Sequence, residues 1–160
     1  MKNALFRFPI VLLASGALAI APPIVLKVQA TPTIEQAIST YKNTNQRWIE
    51  VRLSTQRLIA WEGKKPVHAV IVSTGKDSTP TLPGVFDIYV KYRSARMQGD
   101  DYDIPNVPYT MYYSGGYGIH GADWHHSFGT PVSHGCVNVA VDQARWFFDW
   151  AEVGTPVIVH

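Results

Sequence analysis

Cysteine is nearly absent from this chain: one thiol, Cys136, occurs in 160 residues, which excludes an intramolecular disulfide. Charge is also scarce. Asp, Glu, Lys and Arg make up only 16% of the residues and apolar types 46%, so the chain can bury a core and is not a disordered chain. Three of the 14 Lys and Arg lie among the first thirty residues, so eleven remain against 12 Asp and Glu. No basic stripe interleaved with aromatics occurs, which argues against nucleic acid as a partner.

The longest apolar run lies within residues 1–30, which have the pattern of a signal peptide or a membrane anchor. Basic residues precede an apolar run over residues 8–26, and the small-residue triplet at 28–30 resembles a signal-peptidase site. The alternative is an uncleaved tether through residues 8–26, although paired prolines disfavour a continuous helix there. In both cases we expect export to the periplasm or cell wall. No cysteine follows the run, which excludes a lipid-anchored lipoprotein.

From residue 48 onward the apolar pattern takes a period of two, which is typical of strands with one buried face. The segments with strand character cover residues 48–54, 56–63, 66–75, 84–93, 108–121 and 154–160. A helix is predicted over residues 141–151, and a short helix or a linker over residues 31–47. This balance predicts a mainly β fold over residues 48–160, either a β-sandwich or a partly closed barrel with one or two short helices.

Residues 94–108 interrupt the strand pattern with polar residues, among them Asp100, Asp101 and Asp103. A solvated loop is the favoured interpretation. The aspartates suggest calcium as an alternative, but the glycine and distal glutamate of a helix–loop–helix calcium loop are missing. A lid over an active site is the third interpretation.

The single cysteine has neighbours that favour chemistry over packing. A free thiol outside the cytoplasm is a liability unless it is buried or has a use. Gly135 permits a tight turn and a close approach of substrate, so the amides of Gly135 and Cys136 could both point at an oxyanion. The helix predicted to begin a few residues later would favour the thiolate through its positive end.

Histidines are the candidate proton partners of this sulfur: His120, His125, His126 and His134. His120 is preferred because it ends an apolar strand and precedes Gly121, so a rigid element would present its ring to a groove. Asp123 or a backbone carbonyl near Gly121 would orient the ring. The histidines also suggest zinc, but their spacing matches no established zinc pattern, so we expect no metal.

Two motifs together, "IHG" at residues 119–121 and "SHGCVN" at residues 133–138, resemble the signature of the L,D-transpeptidase family, with its YkuD-type catalytic domain. Supporting segments are "PTLPGVFDIY" at residues 80–89 and the terminal "GTPVIV". The resemblance covers about residues 48–160, and the turn at 82–85 departs from the family's usual Pro-Thr-Gly.

The resemblance implies a β-rich fold with the cysteine in a groove and no cofactor. It implies that Cys136 is the nucleophile and His120 the general base. The motif residues implied to shape the turn and the oxyanion region are Ser133, His134, Gly135, Gly121 and Asn138. Weaker candidates for groove walls are Tyr109, Met111 and Trp124, for which core packing is an equal alternative.

The resemblance further implies acyl transfer on peptidoglycan stem peptides. The cysteine would attack the third residue of a tetrapeptide donor at its L-centre, D-Ala would leave, and a second stem would form a 3→3 cross-link through the thioester. Carbapenems are the implied inhibitors. The alternatives are an L,D-carboxypeptidase or thiol hydrolase that uses the same residues, and a wall-binding module without catalysis.

Overall fold

The computed structural model describes residues 32–160, so the predicted signal peptide or anchor over residues 1–30 lies outside the described residues. The elements, in chain order, are α1 Ile34–Lys42, β1 Arg47–Arg52, β2 Arg57–Glu62, β3 Lys65–Ile71, β4 Gly84–Asp87, β5 Val90–Gln98, β6 Asp103–Ser114, β7 Tyr117–Gly121, β8 Val137–Val139, α2 Val141–Trp150 and β9 Pro156–Val159. Within this part of the chain, no helix combines the length and apolar content needed to cross a membrane.

The strands form two sheets. The first has the order β3-β2-β1-β9-β4, and the second has the order β5-β6-β7-β8. Both contain one parallel pair, β1 with β9 and β7 with β8, while their other strand pairs are antiparallel. Two sheets and two short helices confirm the predicted mainly β fold, as an open sandwich and not a closed barrel.

The main core lies between the two sheets and helix α2. Alternating residues of β1 and β2 meet those of β6, β7 and β8 there, and Ala144, Phe147 and Phe148 supply the apolar face of α2. The packing of α2 on β6 and β7 fixes the strands from which the predicted site residues project.

Helix α1 covers the opposite face of the first sheet. Thr33 and Gln36 form a capping box at its start, and Ala37 packs into a small cluster with Trp48 and Trp61. The indole rings of these tryptophans stack with centroids 5.3 Å apart. Within residues 31–47, the chain therefore builds a helix that packs against the sheet.

Residues 84–93 do not form the single strand that their alternation predicts. Ile88 is fully buried and its N–H donates to Thr155 O, whereas the next N–H, of Tyr89, donates to Tyr112 O. The chain therefore passes from β4 in the first sheet to β5 in the second at this point. Period-two patterning does not reveal such a crossing, because the chain is extended on both sides of it.

The interpretation of residues 94–108 as a solvated loop is wrong. The segment forms the distal part of a hairpin of β5 and β6, and only residues 99–102 form its turn. Asp103, one of the aspartates that suggested calcium, accepts hydrogen bonds from Arg96 across the hairpin. The sequence looked like a loop because this hairpin exposes most of its side chains on both faces.

Glu50 carries a buried charge on β1 and is 1% exposed. Its carboxylate accepts hydrogen bonds from Arg52 Nε at 2.9 Å and Trp61 Nε1 at 2.9 Å, and lies 2.9 Å from His160 Nε2. Burial alone would raise the pKa of Glu50, but the bonds from Arg52 and His160 outweigh it, so the net pKa is lowered.

Replacing Glu50 by glutamine is expected to lower the free energy of unfolding by about 2 kcal/mol, because charge-assisted hydrogen bonds are lost in a buried setting. Urea unfolding of both proteins at pH 7 measures the difference. Glu62→Gln is the matched control, since Glu62 forms an exposed ion pair with Arg47 at 3.5 Å and should change stability by less than about 1 kcal/mol. Equal effects of the two substitutions would contradict the assigned role of Glu50.

Candidate active site

A cavity of about 340 Å³ lies between the β5–β6 hairpin, the end of β7 and the segment that leads into β8. It is lined by Met97, Tyr102, Ile104, His120, Trp124, His125, Ser127, Val132, Ser133, His134, Cys136 and Asn138. Both motifs of the sequence therefore reach the same cavity.

Cys136 and His120 share one face of the second sheet because of the pairing between β7 and β8. These strands are parallel, with His120 directly opposite Asn138. Side chains alternate along a strand, so Cys136, two residues before Asn138, lies on the same face and diagonally across from His120. Residues sixteen apart in sequence are thus neighbours in space.

The ring of His120 is oriented by backbone. The side chain is 2% exposed, and Nδ1 lies 2.9 Å from Gly121 O. A carbonyl oxygen can only accept, so Nδ1 carries the proton and Nε2 is the basic nitrogen. Of the two predicted orienting groups, the carbonyl is the one in contact, while Asp123 lines a separate cavity.

The turn that carries Cys136 is closed by Ser133. The Ser133 hydroxyl donates to Cys136 O and accepts from the N–H of Gly135. Gly135 has φ +117, and a Cβ there would lie 2.8 Å from Tyr117 Cε1, so glycine is needed. In the free site the Gly135 N–H already donates a hydrogen bond to the Ser133 hydroxyl, so it is not available to an oxyanion there. The Cys136 amide is the remaining candidate.

His134 faces the β5–β6 hairpin. Its Nε2 lies 3.1 Å from Asp101 Oδ2 and 3.3 Å from Lys76 Nζ, and its ring centroid lies 4.7 Å from that of Tyr102. These contacts tie the hairpin turn to the motif at residues 133–138. The interpretation of residues 94–108 as a lid agrees with this placement, because Met97, Tyr102 and Ile104 line the cavity.

Asn138 anchors the inner edge of the cavity. Its backbone exchanges both hydrogen bonds with Ser73, at 2.8 and 2.9 Å. Its side-chain amide lies 2.9 Å from Nε2 of His125, whose ring also lines the cavity. Asn138 therefore holds the segment that carries His125 rather than the Cys136 turn itself. Within residues 32–160, no three His, Cys, Asp or Glu side chains group as metal ligands would.

Comparison with known families identifies the domain. The family model of the YkuD L,D-transpeptidase catalytic domain matches residues 46–159, well over half of the chain. The chain belongs to the L,D-transpeptidase catalytic-domain family. This confirms the resemblance carried by the two motifs.

Relatives and solved structures agree with this assignment. L,D-transpeptidase 2 of Mycobacterium tuberculosis (strain CDC 1551 / Oshkosh) is 31% identical over 147 residues, or 82% of this chain and 33% of that protein. A cysteine-to-serine mutant of the Enterococcus faecium L,D-transpeptidase matches with TM-score 0.68 at 32% identity, covering 73% of this chain and 50% of that one. LdtMt1 in complex with imipenem matches with TM-score 0.67 at 28% identity, covering 71% and 58%. The chain thus spans between a third and three-fifths of these relatives.

The sulfur of the L,D-transpeptidase domain lies in a partly desolvated position. Cys136 is half-buried, and its S–H donates to Gly116 O at 3.6 Å. Burial raises the pKa of Cys136 to about 11, against the opposing effect of a hydrogen bond with Gly118. Burial likewise lowers the pKa of His120 to about 4. Desolvation thus opposes the thiolate that the nearby helix is predicted to favour.

Two of the three predicted groove walls lie elsewhere in the L,D-transpeptidase domain. Met111 is fully buried in the main core. Tyr109 lines the separate cavity that includes Asp123, and its ring packs on Phe148 with centroids 5.8 Å apart. Trp124 does line the site, with its ring centroid 5.8 Å from that of His120.

The sequence missed several residues that line the cavity of this domain: Met97, Tyr102, Ile104, His125, Ser127 and Val132. Three of them belong to the segment interpreted as loop, and the only signal for them was the lid hypothesis. The sequence suggests His125 only as a partner of the sulfur, and spacing does not reveal its contact with Asn138.

Proposed function

We propose that this domain transfers acyl groups between peptidoglycan stem peptides through a thioester on Cys136. The sulfur attacks the third residue of a tetrapeptide donor at its L-centre, D-Ala leaves, and the amine of a second stem completes a 3→3 cross-link. The observation that carries the proposal is the placement of Cys136 and His120 on one sheet face at one cavity, with Nε2 as the basic atom. Membership of the family supports it.

Acylation begins from two neutral groups. As the C–S bond forms, the Cys136 proton passes to His120 Nε2, because neither side chain is ionised in the free site at neutral pH. The imidazolium then donates this proton to the nitrogen of D-Ala, and the C–N bond breaks. Burial opposes both ions, so charge develops only once a bound carbonyl can accept the electron pair.

The oxyanion of this step needs a fixed donor, and we assign that role to the N–H of Cys136. The Ser133 hydroxyl bonds on either side of this amide, to Cys136 O and to the Gly135 N–H, and so holds the turn before substrate binds. A donor fixed in advance stabilises the transition state without reorganisation.

Deacylation reverses the proton path. The acceptor amine attacks the thioester, His120 takes a proton from the attacking nitrogen, and the sulfur recovers a proton as the C–S bond breaks. Water in place of the amine would give a free tripeptide, which is carboxypeptidase activity with the same residues. The acceptor therefore decides between cross-linking and trimming.

Carbapenems are the proposed inhibitors of this site. LdtMt1 has been solved in complex with imipenem and is 28% identical to this chain. A strained lactam carbonyl is an electrophile of the same kind as the stem carbonyl, so Cys136 would open it and form a covalent adduct.

Export is part of the proposal, because the substrate lies outside the cytoplasmic membrane. The basic start, apolar run and small-residue triplet of residues 1–30 support it. N-terminal sequencing of the mature protein is expected to show that it begins at Thr31. A start at Met1 would favour a tether through residues 8–26.

Mass spectrometry of muropeptides tests the reaction. Purified protein is incubated with disaccharide-tetrapeptide in water enriched in ¹⁸O. A 3→3 dimer with release of D-Ala is the expected product, and a tripeptide labelled with ¹⁸O would instead assign trimming. Tetrapeptide left intact by a folded protein would contradict catalysis altogether and favour a wall-binding module.

A further inference from the structure

Three tyrosines form an exposed cluster on the second sheet, outside the cavity. Tyr89 and Tyr92 are 52% and 49% exposed, and Tyr112 lies between them. The ring centroid of Tyr112 is 6.3 Å from that of each neighbour, stacked on Tyr89 and edge-on to Tyr92. We call Tyr89, Tyr92 and Tyr112 the tyrosine patch.

The tyrosine patch lies on the same sheet face as Cys136. Tyr112 is directly opposite Gly118 in the pairing of β6 with β7. The register of β7 with β8 sets Ile119 against Val137, so one residue earlier Gly118 lies beside Cys136. Tyr112, Gly118 and Cys136 thus form one row across three strands, with about 10 Å between its ends at the usual strand spacing.

Gly118 leaves the middle of this row without a side chain. A Cβ at Gly118 would lie 3.2 Å from both Tyr112 Cδ1 and Met111 O, so the Tyr112 ring rests over the glycine. The pKa of Tyr112 is raised mainly by burial and next by the charge that Cys136 would carry, which agrees with their proximity. The middle position of the row between Cys136 and Tyr112 therefore carries no side chain.

The tyrosine patch is suited to a ligand that is an uncharged ring carrying hydroxyl groups. The cations beside Tyr92 point to the other face, where Lys91 Nζ donates to Phe148 O and Arg93 lies 5.8 Å from the Phe148 ring. The Tyr89 hydroxyl donates to Gly115 O, which fixes that ring. Aromatic faces pack against the C–H face of a pyranose, and phenol groups hydrogen-bond at its edge.

The length of the substrate matches this distance. From the scissile carbonyl at Cys136, three extended residues reach about 10 Å, which brings the sugar that bears the stem over Tyr112 and toward Tyr92. We infer that the tyrosine patch binds the N-acetylated sugar to which the donor stem peptide is attached. This inference rests on the proposed function.

Paired donors test the inference in the wild-type protein and in Tyr92→Ala. One donor is the tetrapeptide alone and the other is the same peptide on its disaccharide. The ratio of kcat/KM with and without sugar is expected to fall roughly three- to tenfold in Tyr92→Ala and to persist in Tyr92→Phe, because stacking survives loss of the hydroxyl. Val153→Ala, at an exposed apolar position between α2 and β9, is the control and should keep the wild-type ratio.

A binding measurement separates this inference from the reaction itself. The disaccharide without peptide is titrated into Cys136→Ala, and the tyrosine ring resonances are followed by NMR. Shifts confined to rings of the patch are expected even though this variant cannot react. Unshifted rings, or a kcat/KM ratio unchanged in Tyr92→Ala, would overturn the patch while leaving the reaction intact. Ring shifts in Cys136→Ala, together with no turnover of either donor by the wild-type protein, would keep the tyrosine patch and reject the proposed function.

Discussion

Cys136→Ala is expected to eliminate 3→3 dimer formation, D-Ala release and the covalent imipenem adduct together. All three require the C–S bond, and the chain has no second thiol to replace this one. The substitution removes a single half-buried sulfur, so the free energy of unfolding should change by less than about 1.5 kcal/mol. Muropeptide analysis, intact-mass spectrometry and urea unfolding of the same preparation measure these effects.

Alkylation of the wild-type thiol measures its ionisation independently of turnover. With the Cys136 pKa at about 11, iodoacetamide should react slowly at pH 7 and about tenfold faster for each pH unit above it.

Ser127→Ala, at another position lining the cavity, is the control for a general change of cavity shape and should retain adduct formation. Dimer production by folded Cys136→Ala would remove the sulfur from the mechanism.

The fold class and the proximity of Cys136 to His120 can be predicted from the sequence, for different reasons. Strand alternation and the helix at α2 are local patterns, so they predict elements well. The proximity of His120 to Cys136 is not local, and its prediction rests on the kinds of residues a thiol needs and on the two-motif resemblance. The register of β7 with β8 then supplies the geometry that spacing cannot.

Other features depend on environment and escaped the sequence. The passage of the chain between sheets at Ile88 and Tyr89 leaves no mark on alternation. The state of the Cys136 thiol follows from desolvation by the surrounding fold, whereas the sequence shows only the nearby helix that favours the opposite charge. Likewise, the Gly135 N–H donates a hydrogen bond to the Ser133 hydroxyl, and this bond cannot be predicted without the geometry of the turn.

His120→Asn is expected to lower kcat by roughly 10²- to 10⁴-fold, the usual contribution of a positioned general base. The asparagine amide can still donate to Gly121 O in place of Nδ1, but it has no basic atom where Nε2 lies. His120→Gln retains a polar group nearer the Nε2 position and should be equally slow. Steady-state rates on disaccharide-tetrapeptide, with D-Ala release as the signal, measure both.

The same substitution should also change how stability depends on pH. The pKa of folded His120 is about 4, below its ordinary value of about 6.5, so the unfolded chain binds more protons between these limits. This buried histidine therefore contributes stability above about pH 6.5, and about 3 kcal/mol is lost as the pH falls to 4. In His120→Asn that loss should be absent, whereas the exposed-site control His126→Gln should keep it. Urea unfolding at pH 7, 5.5 and 4.5 gives the free energy of unfolding against pH for wild type, His120→Asn and His126→Gln. Parallel curves for His120→Asn and wild type would mean that burial does not lower the pKa of the His120 ring.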